Sequence, residues 1–118
     1  MLLLACDDGV WQGFKLGYRR GDVLLYSWLG GVAPELRGQG VASELMRRQH
    51  AEALANGYRF IETRTRAVNN PMITLNLRHG FHVEGFETDA SGIAVVIQRK
   101  RLDPPTAAKD DQATSGSA

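Results

Sequence analysis

A single cysteine, Cys6, among 118 residues excludes an internal disulfide and any cysteine-built metal site. That usage fits a reducing, cytoplasmic setting, and Cys6 is expected to be a packed strand thiol. No apolar run approaches the ~20 residues a membrane-spanning helix needs. The opening Met1-Leu2-Leu3-Leu4-Ala5-Cys6 lacks a basic flank and is too short for a secretory leader, so it reads as a strand, with no membrane partner expected. Nor is one sign of charge in excess. With 14 Lys and Arg against 13 Asp and Glu, the net charge of +1 leaves no basic footprint for nucleic acid. His50, His79 and His82 fall on separate elements without ligand spacing, so they read as surface or boundary residues and no metal is expected.

What is present suits one globular α/β domain over residues 1–102. Strand patterns at 2–6 and 10–18 flank Asp7-Asp8-Gly9, which makes a hairpin. Residues 23–32 are apolar on both faces, as a central strand should be, and Pro34 stops that ladder. From 40 to 56 the apolar positions Val41, Ala42, Leu45, Met46, Ala53 and Leu54 recur at helical spacing, and Gly57 supplies the stop. Residues 58–66 form the next strand, so strand, helix and strand read as a right-handed crossover between parallel strands. Asn70-Pro71 is expected to cap a short helix that Gly80 closes, and 81–87 with 92–99 form a last hairpin. After Leu102 no large apolar residue remains, and 103–118 read as a disordered tail.

The chemistry concentrates in Gly30-Gly31-Val32-Ala33-Pro34-Glu35-Leu36-Arg37-Gly38-Gln39-Gly40-Val41-Ala42, where a central strand passes through a tight loop into a helix. A helix start offers unpartnered N–H groups and positive potential, and glycines let a phosphate approach the backbone. The Walker pattern fails because Val41 follows Gly40 where Lys is required. The dinucleotide fingerprint fails because Ser43 stands where a third Gly or Ala belongs.

The run Val32-x-Pro34-x-x-Arg37-Gly38-x-Gly40-x-Ala42 resembles the acyl-CoA loop of the GNAT N-acetyltransferase superfamily. Asn69, Leu75 and Gly80-Phe81 resemble its second segment, in which an Asn opens a helix that ends at Gly-Phe. The resemblance covers residues 2–102 and implies a mixed sheet with splayed parallel central strands. It implies acetyl-CoA as co-substrate, held by Gly31, Val32, Arg37, Gly38, Gln39, Gly40, Val41, Ala42, Ser43 and Asn69. The pyrophosphate would lie on the amides of 37–43, and the Val32 N–H would face the thioester oxygen. The acceptor would be a small-molecule or protein primary amine.

Several departures bear on mechanism. Asn76 stands where many relatives carry the Tyr that protonates the leaving thiolate, and an amide is no acid. Tyr26, or a water held by Glu62, is a candidate to help deprotonate the amine, the alternative being a packed aromatic and a solvated strand charge. Arg47 and Arg48 read as a solvated helix face or as partners of a 3′-phosphate, and Arg64 and Arg66 as β-edge charges or as partners of an acidic acceptor. Only Met1 to Cys6 precede the first turn where the family usually opens with a strand and two helices, so either the start is placed too late or an N-terminally truncated member, completed by a partner chain, is expected. Without them the first strand becomes an apolar edge, and Leu3, Trp11 and Phe14 an exposed patch, so a homo-oligomer is expected. Two rival readings stay open: a catalytically weak or inactive CoA-binding sensor or subunit, and a structural interaction module.

Overall fold

The computed structural model describes residues 1–7 and 9–102. The expectation of a disordered tail falls on 103–118, outside the described residues. Six strands form one mixed sheet: β1 Leu2–Asp7, β2 Val10–Arg19, β3 Leu24–Val32, β4 Phe60–Arg66, β5 His82–Thr88 and β6 Ala94–Arg101. Their order is β1-β2-β3-β4-β6-β5, antiparallel throughout except for β3 beside β4. Helix α1, Val41–Ala55, makes the crossover between the two parallel strands, and α2, Asn70–Arg78, follows β4. No helix among the described residues is long and apolar enough to cross a membrane.

Both helices pack on one face of the sheet. Leu25 and Ile61 reach down from the parallel strands onto Met46 and Ala53 of α1, and Phe81 and Leu102 complete the buried core. Close packing of α1 depends on small residues in β2. A Cβ on Gly13 would lie 2.7 Å from the Gly31 carbonyl and 3.2 Å from Leu45, and one on Gly17 would lie 3.1 Å from Gln49. The opposite face carries no helix among the described residues. It exposes Leu2, Leu4, Tyr18 and Trp28, of which Tyr18 packs against Tyr26 and Trp28.

Three expectations are corrected. Asn69, not Asn70, caps α2: its side chain accepts the Met72 N–H at 3.3 Å, which puts Pro71 one position deeper in the first turn. Cys6 is exposed, because it follows Leu2 and Leu4 in the outward-facing alternation of β1. Leu3 is half-buried on the α1 side, while its neighbours Leu2 and Leu4 face outward at 58% and 62% exposure. Trp11 is exposed and Phe14 half-buried.

Candidate active site: a cleft where two parallel strands part

Backbone pairing between β3 and β4 covers only Leu24, Leu25 and Tyr26 opposite Phe60, Ile61 and Glu62. The next contact is made by a side chain: Thr63 Oγ1 donates to the Ser27 carbonyl at 3.0 Å. Beyond it the strands separate. A bulge helps to turn β3 away, since Leu16 opposes Leu29 and Gly17 opposes Ser27, which leaves Trp28 as an extra residue. Meanwhile β4 stays paired with β6 out to Arg66.

Past the bulge, β3 presents free backbone to the gap. The Ala33 N–H donates to the Gln12 carbonyl at 2.8 Å, which makes Gly13 and Val32 a non-hydrogen-bonded pair of the β2–β3 ladder. By alternation, the N–H and C=O of Val32 and Gly30 therefore point away from β2, toward the side that β4 has vacated. This is an open strand edge inside the molecule.

The edge leads into the glycine loop. Pro34–Leu36 forms one 3₁₀ turn, and Gly38 and Gly40 hold φ of +82° and +84°, values that suit glycine. A Cβ on either would meet nothing within 4 Å, so this face of the loop is clear for a ligand. Gly40 caps α1 without a side-chain hydrogen bond, and the first helical bond runs from the Glu44 N–H to the Gly40 carbonyl at 3.0 Å. The N–H groups of Val41, Ala42 and Ser43 precede it and stay available to an anion. These features fit a phosphate-bearing ligand.

A cleft of about 600 Å³ joins loop and gap, floored by Leu45, Met46, Met72 and Leu75. Of the ten predicted residues, Gly31, Val32, Arg37, Ala42 and Asn69 line it. Gln39, Gly40 and Val41 border a groove on the β1 side of the same helix start, beside Leu3 and Arg48. Gly38 is exposed at the bend. Ser43 faces α2, where its Oγ lies 3.1 Å from His79 Nε2. The loop thus stands between cleft and groove. A smaller slot of about 240 Å³ continues from the cleft between the parted strands, lined by Ser27, Thr63, Thr65 and Asn76 among others.

The candidate acid and base positions are engaged elsewhere. Asn76 is buried, and its Nδ2 donates to Gln98 Oε1 at 2.8 Å. Glu62 is held by Arg99 at 2.9 Å and Arg20 at 3.8 Å, and Arg20 lies over the Tyr26 ring. Arg47 and Arg48 both pair with Glu44 on the exposed side of α1, which lowers the Glu44 pKa. Arg64 pairs with Glu87, and Arg66 is exposed. His50 corrects its reading as a surface or boundary residue: it is 7% exposed, and its Nδ1 accepts from Lys100 Nζ at 3.0 Å. Burial, with Lys100, Lys15 and His79 nearby, pushes its pKa down to about 3.

Lys15 was not legible as a site residue, yet it lines both cleft and slot. The available signal was Gly13-x-Lys15-x-Gly17, a lysine between two glycines on the strand face that turns toward the helices. Burial lowers its pKa.

With this geometry in place, the comparisons are specific. The pattern of the family described as "Acetyltransferase (GNAT) family" matches residues 1–81, and the chain belongs to that family. The IAA acetyltransferase from Bacillus cereus ATCC 14579 superposes with a TM-score of 0.81 at 17% identity, over 86% of this chain and 77% of that one. A GNAT family acetyltransferase from Elizabethkingia anophelis with acetyl-CoA bound gives 0.81 at 15% identity, over 86% and 75%. Nourseothricin acetyltransferase gives 0.72 at 28% identity, over 82% and 61%. Among curated proteins, none matches the sequence significantly.

Proposed function

We propose that the chain transfers an acyl group, acetyl in the first instance, from acyl-CoA to a primary amine. The observation that carries this reading is the continuity of three features: the clear face of the loop at Gly38 and Gly40, the unpaired edge at Gly30 and Val32, and the cleft that joins them. The amides of 37–43 would take the pyrophosphate, and the edge would pair with the amide-bearing pantetheine arm as a strand pairs with its neighbour. Arg37, ahead of α1, and Asn69, ahead of α2, both line the cleft.

Catalysis on this reading is chiefly positional. The Val32 N–H, free on the gap side, would donate to the thioester oxygen as negative charge grows there. Holding amine and thioester together supplies the rest. Asn76 cannot protonate the thiolate, so the leaving sulfur would take its proton from the incoming ammonium or from water. The acceptor would be a small molecule or a protein amine entering through the slot, and the working form an assembly of this chain in a reducing, cytoplasmic setting.

Thiol release from acetyl-CoA, followed over a panel of polyamines, amino acids and peptide N-termini, tests this. Saturable release with at least one amine is expected. Tight CoA binding with no release for any amine would favour the sensor or subunit reading, for which the engaged Asn76 and Glu62 speak.

A further inference from the structure

Lys15 lies directly opposite Gly30 in the β2–β3 ladder, just past the point where β3 leaves β4. Because Gly30 has no side chain, the lysine stem folds across it: a Cβ built there would sit 3.3 Å from Lys15 Cδ and 3.7 Å from Nζ. The amine thus stands within a few ångströms of the free Gly30 backbone, on the β-sheet side of the junction between cleft and slot, which Asn69 and Met72 also line. Among the described side chains no carboxylate pairs with it: Glu44, Glu62, Glu84 and Glu87 are committed to other partners. An amine desolvated this way spends more time in its neutral, nucleophilic form.

We propose that Lys15 is itself an acyl acceptor, so that the chain acylates its own cleft. The neutral Nζ attacks the thioester carbonyl carbon, the C–N bond forms, and the C–S bond breaks. The proton lost by the nitrogen leaves on the sulfur, so the products are Nζ-acetyl-lysine and free CoA thiol. The amide is stable, which makes this a single event per chain. It leaves an uncharged acetamide against Gly30, where it narrows the junction for a second acyl-CoA. The inference rests on the acyl-CoA reading above.

The chain has two other lysines, Lys100 and Lys109, which serve as internal references. Lys100 is engaged with His50 and lines neither cavity. Purified full-length protein is incubated with acetyl-CoA and followed by intact mass and peptide mapping, while calorimetry on the same preparation reports binding. The expected result is one acetyl group at Lys15, added at least ~10-fold faster than at Lys100. Its rate should saturate with acetyl-CoA at the calorimetric Kd and not change with protein concentration. Lys15→Arg should bind acetyl-CoA yet stay unmodified. Binding without acetylation of Lys15, or acetylation that rises linearly with acetyl-CoA at all three lysines alike, overturns self-acylation and leaves the CoA site standing. No binding at all overturns the acyl-CoA reading itself.

Discussion

Thr63 Oγ1 donates to the Ser27 carbonyl at 3.0 Å, and that bond marks where the paired sheet gives way to the cleft. On its core side the parallel strands are paired through the backbone, and beyond it their facing edges are free. A hydroxyl from one strand closes the last paired position, so the gap begins at a fixed place.

Gly40→Asp is expected to abolish CoA binding while the protein still unfolds cooperatively. The aspartate puts a negative charge before the first turn of α1, and the left-handed backbone costs about 1 kcal/mol. Gly57→Asp is the matched control, since Gly57 has φ of +89° and equally open space, but at the other end of the helix. Urea denaturation should show the larger loss at Gly57, where the charge meets the negative end of the helix dipole, while CoA affinity falls tenfold or more (~1.4 kcal/mol) only at Gly40. Equal affinities would move the phosphate elsewhere.

Asn76→Ala should cost stability rather than chemistry. Removing the amide leaves Gln98 Oε1 buried without its 2.8 Å donor, a loss of about 1–3 kcal/mol. The kcat for amine acetylation should drop less than tenfold, about 1.4 kcal/mol. A larger fall at unchanged KM and stability would show Asn76 acting on the reacting atoms.

Acid should destabilise the fold through His50. Its pKa is near 3 when folded and near 6.5 when exposed, so between those values the unfolded chain holds the extra proton. Stability is therefore full above pH 6.5 and declines as pH falls toward 3, with a slope from this group of up to about 1.4 kcal/mol per pH unit. His50→Leu should flatten that slope in thermal melts between pH 4.5 and 6.5. An unchanged slope would assign the acid sensitivity to other groups.

The edge strand predicts self-association. β1 has a neighbour on one side only, and Leu2 and Leu4 project from it into solvent. Light scattering over a concentration series should show a dimer or larger species for the parent chain, and Leu4→Lys should shift it to monomer. A parent chain that stays monomeric at high micromolar concentration contradicts this.

Much of the fold was legible because it rests on local rules. The glycine stops at Gly57 and Gly80, the helical spacing from Val41 to Leu54 and the parallel crossover all follow from short-range pattern. The bulge at Trp28 was not, because two residues facing one partner break the alternation on which strand faces are assigned. His50 was misread because a helix-borne histidine looks polar in sequence, while its burial comes from Lys100 and Phe81, more than thirty positions away. Of the candidate site, the tight glycine turn into α1 was readable from Gly38 and Gly40. The cleft floor and Lys15 were not, since they are assembled from β2, α1 and α2 together.

The most direct measurement is calorimetric titration of the full chain with acetyl-CoA, paired with denaturation at saturating ligand. The account predicts one site per chain and, at 100 times Kd, a stability gain of about 2.7 kcal/mol, with adenosine far weaker. No heat and no stabilisation at millimolar acetyl-CoA would contradict it.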